Sequence, residues 1–333
     1  MKFLIIGLGS MGKRRIRNLQ TMGYKQIAGF DLRQDRIDEA HSEYNVEIYK
    51  NFNEAIKHFG PDVFIISTSP KYHMEYATWG EKNNIPCFIE ASVVDRLKIK
   101  SLSESAKKSG TIIAPSCTMR YFPGPKTVKD LLNRGVIGKP LSFNYITGQY
   151  LPDWHPWEKV TDFYVSERST GGAREIVPFE LTWLNDIFGN PTPLSCYKGK
   201  VSDIEVDIDD IYHCVLNYPG SMLANITIEV VSRPKATREL RIMGSEGLLV
   251  MTSDEQCVKY CSVKCPEWTR ITLETGSVEK NYINPEEPYI AELSDFILAI
   301  KENNQKLYPN TLDDDCDVLE ILEKLETLSE VIS

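Results

Sequence analysis

The residues of this sequence best suited by type and spacing to do chemistry come first in the chain, at Gly7-Leu8-Gly9-Ser10-Met11-Gly12. In a G-x-G-x-x-G turn the first glycine permits the tight bend. The second lets a pyrophosphate approach the backbone, and the third lets the following helix pack closely on its strand. Phosphate oxygens would then lie on the N–H groups around Ser10 and Met11, where the helix macrodipole favours negative charge. Asp31, about twenty residues beyond the loop, ends a second apolar run, Gln26 to Phe30. A carboxylate there can accept both hydroxyls of an adenosine ribose and repels a 2′-phosphate, which selects NAD over NADP. Arg33 offers a 2′-phosphate a partner and keeps NADP as a second reading. The bland alternative is a glycine turn without a ligand and a solvated Asp.

Two further groups of side chains could complete a site. Ser67, Thr68 and His73 follow an apolar run, as does Glu90. The small hydroxyls suit contact with an adenosine ribose or a nicotinamide ring, whereas His73 is equally readable as a packed residue at a helix start. The stretch Tyr150 to Tyr164 holds Trp154, His155, Trp157, Phe163 and Tyr164. Aromatic faces stack on sugar rings, and indole and imidazole N–H groups bond hydroxyls, so this loop is the expected substrate binder; the alternative is that the rings plug a domain junction. Arg120, Arg168 and Arg233 could hold a substrate carboxylate or phosphate. Cys257, Cys261 and Cys265 recur every four residues, but without C-x-x-C pairs or a nearby His they do not read as a metal site.

The elements that must position these residues follow from periodicity. An apolar strand from Lys2 to Ile6 runs into the glycine turn. Helical periodicity then covers 33–44, 53–59, 73–83 and 96–109, alternating with apolar strands at 26–30, 46–49, 63–66, 87–90 and 111–114. Such alternation predicts a doubly wound parallel (Rossmann) sheet with right-handed crossovers, whose ligands gather at the carboxyl ends of the strands. From about Ser142 the texture changes. Strands expected at 141–150, 211–217, 222–231, 239–243 and 248–251 lie close together with turn residues between them, which favours antiparallel hairpins. An amphipathic helix over 174–187 must cover one face. The predicted fold is therefore α/β: an N-terminal Rossmann domain over 1–120 and a C-terminal α+β domain over 121–333 on a mainly antiparallel open sheet. Closing helices at 289–302 and 313–331 are read as structural, with the option of packing back on the first domain.

Size and charge exclude several classes. The 333 residues suffice for two cores, and 42% hydrophobic with 10% aromatic residues is ordinary for a globular protein. With 38 basic and 47 acidic residues the net charge is −9, scattered rather than blocked, which disfavours nucleic acid and anionic membranes as partners. No apolar run reaches the roughly 18 residues of a membrane span, and the eight cysteines read as reduced thiols, so a cytoplasmic location is expected.

Taken together the motifs resemble the Gfo/Idh/MocA oxidoreductases over nearly the whole length. The markers are the Gly7 to Gly12 loop, Thr68-Ser69-Pro70-Lys71-Tyr72-His73, Met119-Arg120-Tyr121-Phe122-Pro123 and Gly135-Val136-Ile137-Gly138-Lys139-Pro140. The stretch Gly148 to Glu158 resembles a subgroup associated with bacterial surface-sugar biosynthesis. The resemblance implies a nicotinamide-dependent enzyme moving hydride to or from a sugar-like carbon, substrate held between the domains, and a homo-oligomer, dimer or tetramer, formed through the open face of the second sheet. Glu90-Ala91-Ser92 stands where the family has Glu-Lys-Pro. Ile176 and Phe179 stand where its pattern expects Asp and His.

Hydride transfer from an alcohol also requires a group that takes the hydroxyl proton. With the usual Lys and His absent, the candidates are Glu180, Tyr164 and His155, with Glu175 and Lys13 behind them. Glu180 aligns with a carboxylate of the subgroup and ranks first on its helix; alternatively it pairs with an arginine such as Arg174 or Arg120. Glu175 and Glu180 lie five positions apart and cannot share a helix face. Tyr164 is either a phenolic acid or a packing residue. Two functions remain open from sequence: an NAD(P)-dependent oxidoreductase on a sugar, sugar acid or nucleotide-linked sugar, and a cofactor-binding pseudoenzyme serving as a regulatory subunit.

Overall fold

The computed structural model describes residues 1–156, 158–280 and 282–330, the last without its side chain. The chain divides into two compact units, Met1–Thr118 with Gly276–Cys316, and Met119–Thr275 with Asp317 onward.

The first unit is built on β1 (Phe3–Ile6), β2 (Ile27–Phe30), β3 (Glu47–Tyr49), β4 (Val63–Ile66), β5 (Cys87–Ile89) and β6 (Ile113–Pro115), all parallel in the order β3-β2-β1-β4-β5-β6. Every residue of β1, β2 and β4 is buried. That is why these strands read as unbroken apolar runs: helices cover both faces of a parallel sheet. The helices are α1 (Ser10–Thr21), α2 (Gln34–Tyr44), α3 (Phe52–Glu54), α4 (His73–Lys82) and α5 (Arg96–Ser109). Most boundaries lie within two residues of expectation. Residues 53–59 differ: α3 is a single turn capped by Asn51, whose side chain accepts from Glu54 N at 3.2 Å, and it continues as a π-turn over Ala55–Phe59.

The second unit begins with a helix that sequence did not reveal, α6 (Pro123–Asn133), because Pro123, Gly124 and Pro125 read as loop, although proline is well tolerated at a first helical position. Its sheet has eight strands: β7 (Pro140–Gly148), β8 (Thr192–Gly199), β9 (Ile211–Tyr218), β10 (Met222–Glu229), β11 (Thr237–Gly244), β12 (Gly247–Thr252), β13 (Cys257–Ser262) and β14 (Cys265–Thr272). They are ordered β14-β13-β12-β11-β7-β10-β9-β8. Three strands escaped the sequence reading. β8 and β14 are edges, where apolar alternation weakens; β8 carries Pro193 at a register shift, and β14 is exposed along nearly its whole length. The expectation of hairpins needs one correction. β7 pairs with β10 in parallel, because the chain leaves the sheet after β7 for a long crossover before returning beside it.

The crossover contains α7 (Ala173–Phe188), which lies on one face of this sheet. Trp183 meets the Tyr145 ring edge-on at 5.5 Å between centroids, and Phe188 stacks on Phe143 at 4.8 Å. Full burial of large side chains such as Trp183, Phe143 and Tyr145 contributes about 1.5–3 kcal/mol each. α8 (Glu287–Lys301) belongs to the first unit, and α9 (Leu312–Glu330) runs on into residues of the second.

Candidate active site

The first unit carries a cradle at the carboxyl end of β1. Successive strands leave β1 in opposite directions, β2 to one side and β4 to the other, so a crevice opens there. Gly7 takes a φ of +95°, and a Cβ on it would stand 2.6 Å from the Ser67 carbonyl oxygen. A Cβ on Gly12 would lie 1.9 Å from the Gly7 carbonyl oxygen, so only glycine lets α1 come this close to the turn. Among the described residues, a Cβ on Gly9 would meet within 4 Å the Arg36 guanidinium alone, at 3.4 Å. Among the described residues no side-chain hydrogen bond caps α1, and its first turn holds no acid. A helix N-terminus beside an open glycine is what a diphosphate needs, so these residues fit a dinucleotide.

Asp31 closes the cradle. It is nearly buried; its Oδ2 accepts from Leu8 N at 2.7 Å and its Oδ1 from Arg33 N at 2.9 Å. The Arg33 guanidinium turns away to Asp35, Nη2 to Oδ2 at 2.6 Å. Arg36, which sequence reasoning missed, comes within 4.0 Å of Asp31; its signal is its place in the first turn of α2, five positions after the acid. Lys13 forms an ion pair with Glu39.

Arg15 is a second residue that sequence did not single out. It is wholly buried on α1, donates to Glu90 from Nε at 2.6 Å and from Nη2 at 3.1 Å, and reaches Glu292 of α8 at 2.9 Å. Glu292 is itself fully buried and accepts from Cys117 N at 2.6 Å, Thr118 Oγ1 at 2.8 Å and Ser116 Oγ at 3.0 Å. Burial raises the Glu292 carboxyl above its ordinary range against the opposing charge of Arg15. Ser67 Oγ lies 3.5 Å from Glu90. His73 is buried, its Nε2 donating to the Thr68 carbonyl at 3.0 Å and its Nδ1 accepting from Ser92 Oγ at 3.1 Å; burial pushes it down to about 4, so it is neutral.

In the second unit the two acids of α7 take different environments. Glu180 has no exposed surface. It accepts from Tyr145 Oη at 2.6 Å, Trp183 Nε1 at 2.7 Å and Arg238 Nη2 at 2.5 Å. The arginine is thus Arg238 of β11, in place of the Arg174 or Arg120 expected from sequence. Arg174 pairs with Glu326 at 2.6 Å; Arg120 donates to the Thr182 carbonyl at 3.1 Å and lies 3.7 Å from Asp186. Glu175 accepts from Tyr164 Oη at 2.5 Å through Oε1, while no donor among the described residues reaches its enclosed Oε2. Burial pushes this carboxyl up to about 7, opposed by the Tyr164 hydrogen bond.

The aromatic loop is partly accounted for. The His155 ring lies 4.8 Å from Phe163 and its Nδ1 3.8 Å from Glu158, and Phe163 meets Tyr164 edge-on at 6.1 Å. Trp154 Nε1 donates to the Gln149 carbonyl at 3.3 Å. Trp157 lies outside the described residues. Arg168 bonds Asp209 at 2.6 Å and Asp207 at 2.5 Å, and Arg233 stacks over Tyr150 at 3.7 Å.

Parallel strand order, a glycine cradle after β1 and an acid at the end of β2 mark a Rossmann-type unit beside a separate α+β unit. The chain belongs to the Gfo/Idh/MocA oxidoreductase family: residues 1–116 match its NAD-binding Rossmann-fold model and residues 126–250 its C-terminal domain model. A myo-inositol 2-dehydrogenase of Thermotoga maritima is 27% identical over 143 residues, covering 42% of this chain and 43% of the relative, so the matched stretch spans less than half of that enzyme. An oxidoreductase from Agrobacterium radiobacter, solved with NAD+, L-tartaric acid and magnesium, superposes with a TM-score of 0.85 at 13% identity, over 100% of this chain and 97% of that one. A levoglucosan dehydrogenase solved with NADH and levoglucosan gives 0.83 at 15%, over 100% and 98%. At such identities the two structures show a shared fold.

Proposed function

We propose that this protein is an NAD-dependent oxidoreductase acting on a secondary alcohol of a sugar or polyol, or on the matching carbonyl. The observation that carries the reading is the cradle: Gly7, Gly9 and Gly12 let the start of α1 pack closely on the turn after β1, and Asp31 is tied by a hydrogen bond to that same turn. Ser10, Met11 and Gly12 would hold the diphosphate, Asp31 the adenosine ribose, and Ser67, Thr68 and Glu90 the nicotinamide half. When bound, the nicotinamide accepts or returns a hydride. Arg33, engaged by Asp35, is not poised for a 2′-phosphate, which supports NAD over NADP.

The substrate class rests on the kinship with a myo-inositol dehydrogenase and on the ring-rich loop, where Trp154, His155, Phe163 and Tyr164 offer apolar faces and hydrogen-bonding edges suited to a polyhydroxylated ring. Ile146, Tyr197 and Leu223 are exposed on the face of the second sheet opposite α7, which supports a second copy of the chain packing there. The eight cysteines form no disulfide among the described residues, which supports a reducing, cytoplasmic setting, and among the described residues no helix is long and apolar enough to cross a membrane.

The test is fluorescence titration with NADH and NADPH, followed by NAD+ reduction in the presence of myo-inositol, levoglucosan and a panel of nucleotide-linked sugars. Tight NADH binding with turnover on a cyclic polyol or sugar is expected. Absence of NADH binding would end the reading.

A further inference from the structure

The first turns of α1 are met by a segment from far along the chain that belongs to the same compact unit. That segment, 277–287, is closed at its base. Both carboxylate oxygens of Glu287 accept from Ser277 N at 2.9 Å, Oε1 also accepts from Ser277 Oγ at 2.6 Å, and Glu286 N donates to the Ser277 carbonyl at 2.9 Å. Glu286 fastens the segment to α1. Its Oε1 accepts from Arg14 Nε at 3.1 Å and Arg17 Nη2 at 3.0 Å, and its Oε2 from Asn18 Nδ2 at 2.6 Å. Arg14 Nη2 donates in turn to the Asn284 carbonyl at 3.2 Å.

Tyr282 makes a contact that fastening does not need. The Arg14 and Arg17 guanidinium groups lie 4.6 Å and 4.2 Å from its ring centroid, and a phenylalanine ring would receive them as well. Its hydroxyl reaches further and donates to the Ser10 carbonyl at 2.7 Å, the ordinary length of a well-formed O–H···O bond. Ser10 is the first residue of α1, and its carbonyl shares one peptide group with the Met11 N–H. A donor on the oxygen of a peptide draws electron density toward that oxygen, so the N–H of the same peptide becomes a stronger donor. Met11 N–H is among the groups at the glycine turn assigned above to the diphosphate.

We propose that Tyr282 is a positioning residue of the cofactor site, acting on the diphosphate through the peptide that joins Ser10 to Met11. Its hydroxyl restrains that peptide at the start of α1 and strengthens the Met11 N–H toward an anion. Without the hydroxyl the peptide keeps its place in the helix and loses the polarisation. The effect belongs to the phosphates alone, so it follows the diphosphate into any ligand that carries one and is independent of the nicotinamide. The assignment rests on the NAD-dependent reading given above.

The test is Tyr282→Phe, which keeps the ring beneath both arginines and removes the hydroxyl. Calorimetric titrations with NADH and with ADP-ribose should show both ligands weakened by the same factor, about three- to tenfold, the worth of one hydrogen bond. In ligand-free protein carrying isotope-labelled methionine, the Met11 amide resonance should move upfield while the melting temperature is unchanged. A Met11 resonance that stays in place, NADH affinity equal to wild type, or a loss for NADH that ADP-ribose does not share would each overturn the assignment. An affinity loss matched by a fall in melting temperature would overturn it too, since that is the mark of a purely structural contact. All of these leave the oxidoreductase reading intact. Wild-type protein that binds neither ligand would instead remove that reading, and the assignment with it.

Discussion

Asp31 Oδ2 accepts the backbone N–H of Leu8 at 2.7 Å, so the acid that closes β2 is hydrogen-bonded to the glycine turn that closes β1. The carboxylate is thereby oriented by the same backbone that would receive the diphosphate, and its second oxygen is steadied by Arg33 N at 2.9 Å.

Replacing that acid should separate its two roles. Asp31→Asn keeps an acceptor for Leu8 N but loses the charge, and it should weaken NADH about tenfold, roughly 1.4 kcal/mol, while narrowing the gap to NADPH. Asp31→Ala also orphans a buried N–H and should cost a further 1–3 kcal/mol or so of stability. Cofactor titrations and urea unfolding of the two variants measure these effects.

Arg15 joins Glu90 to Glu292 inside the first unit, with no exposed surface of its own. Arg15→Met would leave two carboxylates without their cation and should destabilise the protein by about 3–5 kcal/mol near neutral pH. Glu292 is already raised in the native protein by burial. Its charge is therefore neutralised on acidification sooner than that of an ordinary carboxylate, and the defect should be smaller at an acidic pH than at a neutral one. Chemical denaturation at the two pH values tests this; an equal loss at both would show that the carboxylates are not the cause.

Glu175 makes stability depend on pH in a definite direction. Its carboxyl is pushed up to about 7 from an ordinary 4.5, so between these values the folded chain holds a proton that the unfolded chain has released. The stability linked to this proton is fully present below the unfolded value and is lost as pH rises through the folded one, amounting to about 1–3 kcal/mol for a residue that keeps some surface. Glu175→Gln should abolish that loss. Its melting temperature should thus gain on wild type at pH 8 and match it most closely near pH 4.5, as read by calorimetry.

Glu180 should behave as a structural acid. Glu180→Ala strands the buried Tyr145 hydroxyl and Trp183 indole N–H and removes the partner of Arg238, so a loss of about 3–5 kcal/mol is expected. NADH affinity should be unaffected, because the cradle lies in the other unit. Thermal melts alongside NADH titration check both halves; turnover lost at full stability would point to chemistry instead.

What sequence alone determined is local. The apolar run of β1, the Gly7 to Gly12 turn, α1, β2 and the terminal Asp31 follow one another within a short stretch, and each is dictated by periodicity or by a backbone bend that only glycine tolerates. Strands buried on both faces announce themselves in the same way. The edges β8 and β14 do not, because a strand open to solvent can carry charge at either parity. Tertiary structure alone decided which side chains meet. Helical spacing placed Glu175 and Glu180 on different faces, but their opposite environments depend on Tyr164, Tyr145 and Arg238, which arrive from a loop and two strands. Arg15 finds Glu292 from the far end of the chain. A carboxylate saturated by donors and one with a bare oxygen are the same letter in sequence; only the neighbours brought by folding tell them apart.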